Sequence, residues 1–504
     1  MAKVYDNATD LITFARSSSG TALRRVGYGE NLVDNDGFDT DLTGWATSNA
    51  WSVINGEAVG ADTTSGNNFL RWLTGAEAGK VYLGSVDVKL NDGVGSTYLQ
   101  WGGDINTRVT SPTAGTYTKV FFCSDGVELF RANVNGTNTN FIIDNVSVRE
   151  VIFDRATDDL VLFNHPDDTP RIEYGSDGAL KGLLIEELRA NLVTSSADIS
   201  GGNWFSNGGI ITESAVLAPD GTQTGSTYDT DGAYRILRNV VSVSTGSTYT
   251  WSFYAKNIDA TDVRYRVYDN TQATDIVSAT SYFSQINTSD WTRISVTFTV
   301  PAGCSAVGVY LTSGTNGGTV AFWGAQLEEG SFPTSYIPTS GSQSTRSADV
   351  ASIPVSAFGY NQDAGTVVVE GTRLHDAGSL SYASLNDGSG INRFTLYIQS
   401  TEKVNGYAFG NGGALTLNGP TISPPTSTTW GMSYAKIPTG GRYELAVDGA
   451  IYDNSDSIYG EFSGKTQLSI GSAWGYSEFA NGHIKSLSYF PRRLTDAQLQ
   501  ELTS

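Results

Sequence analysis

The only imidazoles in the 504-residue chain are His165, His375 and His483. Their spacing matches no metal-ligand pattern, and no serine stands in a nucleophile elbow. With 52 Asp and Glu residues a carboxylate pair for glycoside hydrolysis is available on composition alone. No hydrolase motif surrounds any of them, so the sequence predicts no enzyme. Cys123 and Cys304 lie far apart, each on what reads as a different sandwich, which predicts two free, mostly buried thiols.

The residues left with chemistry to offer are aromatics and arginines on alternating strands. Along 249–256, alternation sends Tyr249, Trp251 and Phe253 to one face and Tyr254 and Lys256 to the other. On the next strand Val263, Tyr265 and Val267 turn inward, leaving Arg264, Arg266 and Tyr268 outward. Flat rings for C–H contacts beside polar groups for hydroxyls are what saccharide recognition requires. If the outward sets share one sheet face, Tyr254, Arg264, Arg266 and Tyr268 form a glycan platform. The same alternation also fits an ordinary solvated face or an interdomain contact, and a one-residue slip would invert it. Most tryptophans, Trp101, Trp251 and Trp430 among them, fall on the apolar phase and read as core.

Strands must position these groups. The chain is too long for one core, since single cores stop growing at roughly 250–300 residues. Its 57 Gly, 25 Tyr, 21 Phe and 10 Trp, with 16 % charged residues, describe an all-β chain of many short strands. The net charge of −21 repels phosphate backbones and anionic headgroups, which argues against nucleic acid and membrane as partners. No segment approaches the ~20 apolar residues of a membrane span, and Met1–Arg16 lacks the pattern of an export signal. An extracellular role would then need release with an assembled particle.

An internal repeat organises the first two thirds. Asn31-Leu32-Val33 returns as Asn191-Leu192-Val193, and the strand at 79–86 returns at 246–253. The segment 117–122 returns at 291–296, and 141–148 at 320–327. The reading is a lead-in over 1–30, sandwiches at 31–150 and 191–336, a connector at 151–190, a linker at 337–347 and a third domain at 348–504. Asp448-Gly449 predicts a two-residue hairpin. The chain is predicted to end in a helix with Thr495 and Gln498 as a capping box and Leu494, Leu499 and Leu502 as its buried stripe.

The opening motif Asn31–Asp39 and the closing strand Phe141–Val146 resemble those of jelly-roll carbohydrate-binding modules. Residues 191–336 are similar to a second jelly roll whose Trp323-Gly324-Ala325-Gln326-Leu327-Glu328 ending resembles phage structural proteins, as do 169–174 and 182–187. The last domain, through Gly482–Phe490 and Arg493–Leu499, resembles the laminin-G/concanavalin-like lectin sandwich. The fold implied is two jelly rolls followed by a concanavalin-like sandwich with a short C-terminal helix.

In the jelly-roll family a structural calcium sits where the opening loop meets the closing strand. The resemblance places Asp39 and Asp144 at its acidic positions. It further implies a phage virion fibre or receptor-binding protein that contacts host cell-surface polysaccharide and other virion proteins, as a homotrimer or other oligomer. The alternative is a purely structural virion protein, a capsid decoration or tail scaffold, whose sandwiches bind only other virion proteins.

Overall fold

A computed structural model describes residues 12–62, 68–92, 95–103, 105–123, 128–135, 139–200, 203–230, 235–313, 317–375, 378–410, 413–438, 440–457, 464–475 and 477–504. The chain is nearly all antiparallel β and forms two compact units, Arg24–Pro166 and the rest.

In Arg24–Pro166, a five-stranded sheet runs in the order Ala46–Thr47, Asn68–Trp72, Phe130–Asn135, Ser96–Trp101, Val109–Thr110. The sheet facing it is built on Gly115–Phe122, Val81–Asn91 and Thr139–Phe153. Between them lie Trp45, Trp51, Trp72, Trp101, Phe130 and Phe141. Gly84 must lack a side chain, because a Cβ there would sit 2.2 Å from Trp101 Cδ1. The opening loop does meet the closing strand, as Val146 N–H donates to Asp36 O at 2.9 Å and Val148 N–H to Asn31 Oδ1 at 2.9 Å.

The other unit holds two sandwiches. The earlier one repeats the first in topology. Its inner sheet is Ile210–Val216, Gly225–Asp229, Thr319–Glu329, Thr248–Asn257, Thr292–Thr299. Its outer sheet is Trp204–Ser206, Ile236–Ser242, Ala306–Ser313, Val263–Asp269, Thr274–Ser281. Trp251, Phe253 and Phe322 fill the core.

The later sandwich draws strands from beyond 348–504. Thr13–Ala15, from the lead-in, pairs with Val350–Pro354, and Leu180–Ile185, from the connector, pairs with Gly482–Phe490. Neither segment stands apart as the sequence reading has it. Each covers a sheet edge that would otherwise expose unpaired backbone groups. The linker is likewise bound, with Ser344–Arg346 paired to Arg189–Asn191. Asp448 and Gly449 take φ of 45° and 77° at the expected hairpin. The helix Asp496–Thr503 carries the Thr495/Gln498 capping box. Leu502 is an exception to the expected stripe: it is exposed, and Leu499 with Thr503 makes the buried face.

A buried ionic knot joins the lead-in, the connector and the linker. Asp349 takes Arg16 Nη1 at 3.1 Å and Arg171 Nη2, and Glu186 takes Arg171 Nη1 at 2.8 Å and Arg346 Nη1. Ser335 adds N–H and O–H donors to Glu186, both at 2.7 Å. Such a cluster stands only when every charge is met, which is why these separate segments must converge on it.

Candidate functional site

The outer sheet of the second sandwich turns Leu237, Val241, Val307, Val309, Val263 and Val267 into the core, so alternate residues face away from it. Across the strands Phe205 stands opposite Arg238, Arg238 opposite Tyr310, and Tyr310 opposite Arg266. These four form one continuous row.

The row is tightly organised. Arg238 lies 4.9 Å from the Phe205 ring and donates Nη1 to Tyr310 Oη at 2.9 Å. Tyr310 meets Tyr268 edge-on at 5.9 Å. Arg266 covers Tyr268 at 4.4 Å and Tyr310 at 5.5 Å, and Asp275 fixes its Nε. Gly308 provides the room, since a Cβ there would fall 2.3 Å from Tyr310 Cε2. The Tyr310 ring therefore lies down along its own strand and is buried, while Phe205 stays 52 % exposed at the edge of the row. Arg264 is held beside the row by Asp262 at 3.0 and 2.8 Å. The face offers an open ring, guanidinium donors and a phenol at fixed spacing, which suits the C–H faces and hydroxyls of a sugar.

Arg264, Arg266 and Tyr268 thus stand on one face, as alternation predicts. Tyr254 does not join them. Its strand, Thr248–Asn257, belongs to the inner sheet, where the ring packs on Trp323 at 5.7 Å and burial pushes its hydroxyl pKa up. Alternation within a strand gives the phase but not the sheet, and consecutive strands here lie in different layers. Phe205, Arg238 and Tyr310 were missed because they come from strands distant in sequence. The one local signal was Gly308 two residues before Tyr310, a gap that leaves a ring space to lie flat.

Asp39 is exposed, and Asp144 pairs with Lys89 at 3.5 Å while accepting the Asn145 N–H at 2.8 Å. A calcium ion there would have to take Asp144 from Lys89 and draw its remaining oxygens from backbone carbonyls. Among the described residues no group of three or more His, Cys, Asp or Glu side chains is placed to hold a metal ion.

Each histidine is held by neighbouring side chains. His165 packs against Phe153 and Phe163 at 5.5 and 5.0 Å, His375 stacks on Phe332 at 4.4 Å, and His483 Nε2 meets Glu173 at 2.6 Å. Both cysteines are free and buried. Among the described residues no helix is long and apolar enough to cross a membrane.

Residues 193–318, which carry the whole row, match the family described as a carbohydrate binding domain. No curated protein matches the chain. Among solved structures, the CBM40 of the Ruminococcus gnavus IT-sialidase is similar at 20 % identity over 29 % of this chain and 84 % of its own, with a TM-score of 0.25. The CBM22-1–CBM22-2 tandem of Paenibacillus barcinonensis Xyn10C is similar at 13 % identity over 60 % and 98 %, with a TM-score of 0.23. The enzymatically active domain of bacteriophage CBA120 tailspike protein 4 is similar at 19 % identity over 27 % and 21 %, with a TM-score of 0.23.

Proposed function

We propose that this chain is a non-catalytic polysaccharide-binding protein that engages its ligand on the outer sheet of the second sandwich. The observation that carries this is the unbroken row Phe205, Arg238, Tyr310, Arg266, with Tyr268 beside it, on the segment that matches the carbohydrate binding domain. Phe205 supplies a stacking face, and the arginines donate to ring hydroxyls.

The setting we propose is a phage virion fibre or receptor-binding protein acting on host surface polysaccharide. The phage-like motifs at 169–174, 182–187 and 323–328 support it. Assembly as a homo-oligomer, a trimer in the simplest case, would turn several weak sites into avidity.

The test is binding of the purified full-length chain to intact candidate host cells, with and without periodate oxidation of their surface sugars, beside a Phe205→Ala variant. Binding abolished by periodate and weakened about tenfold in the variant fits the loss of one stacking contact of about 1.4 kcal/mol. No binding to any host would instead favour a virion scaffold whose sandwiches contact only other virion proteins, and periodate-resistant binding would overturn the polysaccharide reading.

A further inference from the structure

The five-stranded sheet of the Arg24–Pro166 unit carries a second face of similar construction but different chemistry. Leu70, Ala132 and Leu99 are fully buried in its core, so the residues between them face away. Two rows result: Arg71, Arg131, Gln100, and Phe69, Asn133, Tyr98. Arg71 lies 3.9 Å over the Phe69 ring, and Arg108 lies 3.9 Å over Tyr98. Arg108 also donates to Gln100 Oε1 at 3.1 and 2.7 Å. Glu128 gathers the rest, its Oε2 taking Arg131 Nη2 at 2.9 Å and Arg71 Nη1 at 3.5 Å.

Two features of this face point to a ligand. Among the described residues three guanidinium groups stand against one carboxylate, on a chain whose net charge is −21. Glu128 Oε1 is buried, its side chain only 8 % exposed, and has no hydrogen-bond partner among the described residues. Leaving a buried acceptor unmet costs about 1–3 kcal/mol. A simple anion would answer the charge but repel that oxygen. A ligand carrying both a negative charge and hydroxyl donors answers both. Phe69 and Tyr98 lie two strands apart, about 10 Å, each ring covered by its arginine and Asn133 fully buried between them, so the half-buried arginines are the groups a ligand meets first.

We propose that the first sandwich is a separate binding module for an acidic saccharide. Carboxylates of a uronic- or sialic-type saccharide meet Arg71 and Arg108, and a neighbouring hydroxyl donates to Glu128 Oε1. This site shares no residue with the face of the second sandwich, and either can fail alone.

The experiment is native affinity electrophoresis of the full-length chain in gels containing polygalacturonate, alginate or polysialic acid, with dextran as the neutral control. The variants are Arg71→Gln/Arg108→Gln and, for the other face, Phe205→Ala/Arg266→Ala. Arg108→Lys serves as a milder second variant, and thermal melting checks folding. The wild type is retarded by at least one acidic polymer at concentrations that leave dextran gels unaffected. The Arg71/Arg108 variant, still folded, needs at least tenfold more polymer for the same retardation, Arg108→Lys falls between, and the Phe205/Arg266 variant keeps the acidic retardation. Retardation by none of the acidic polymers overturns the proposal. So does acidic retardation lost only in the Phe205/Arg266 variant, which would leave the second sandwich as the binding module.

Discussion

Asp349→Asn removes one charge from the ionic knot and little else. The Asp349 side chain is fully buried and takes Arg16 Nη1 at 3.1 Å, Arg171 Nη2 and the Glu186 backbone N–H at 2.9 Å. After the substitution the three buried guanidiniums keep only Glu186 as a directly paired carboxylate of the knot, with Glu328 acting on Arg346 from further off. Removing one partner of a buried pair costs about 3–5 kcal/mol, because the remaining charge has neither water nor counter-ion. At a denaturant slope of about 3 kcal/mol/M, a loss of about 4 kcal/mol lowers the urea midpoint by about 1.3 M.

The two thiols make the assay specific. Cys123 lies in the Arg24–Pro166 unit and Cys304 in the other, both free and fully buried. Pulsed alkylation along a urea series, read by mass spectrometry, should show Cys304 becoming reactive about 1.3 M earlier in the variant while Cys123 keeps its midpoint. A Cys304 shift under about 0.3 M, below about 1 kcal/mol on the same slope, would refute the claim that the knot holds that unit together. Equal movement of both thiols would refute its confinement to that unit.

Three further outcomes are expected. Burial alone would raise the Glu186 carboxyl pKa, but Arg346 and Arg171 outweigh it and hold the group well below its ordinary 4.5. That stability is present above about pH 4.5 and is lost as the pH falls below it, so the Cys304 midpoint should drop on acidification from pH 5 to pH 3. Gly308→Ala should weaken polysaccharide binding as much as Phe205→Ala does, because the new methyl forces the Tyr310 ring off the strand; calorimetric titration that finds unchanged affinity would contradict the assigned row. Tyr254→Phe should leave polysaccharide affinity unchanged in the same titration, since its ring lies in the other sheet against Trp323.

Much of the fold was legible in the residues. The repeat, the apolar phases that bury Trp101, Trp251 and Trp430, the Asp448-Gly449 hairpin and the Thr495 cap all act over a few positions, where side-chain period and turn chemistry decide the outcome. The same alternation turned Arg264, Arg266 and Tyr268 outward. It could not say which layer each strand joins, so Tyr254 was assigned to a face it does not share.

Sequence by itself determined that this is an all-β protein of repeated sandwiches, that Trp101, Trp251 and Trp430 are core, and that Arg264, Arg266 and Tyr268 face outward, because those properties depend on local period and burial. Only the tertiary structure decided that Phe205, Arg238, Tyr310 and Arg266 form one row, that Arg71, Arg108 and Arg131 meet Glu128, and that the lead-in and connector complete the third sandwich. Each of those rests on pairing between strands distant along the chain. Backbone hydrogen bonding is the same for every residue but proline, so partner choice is set by how whole sheets bury their apolar faces and cover their edges.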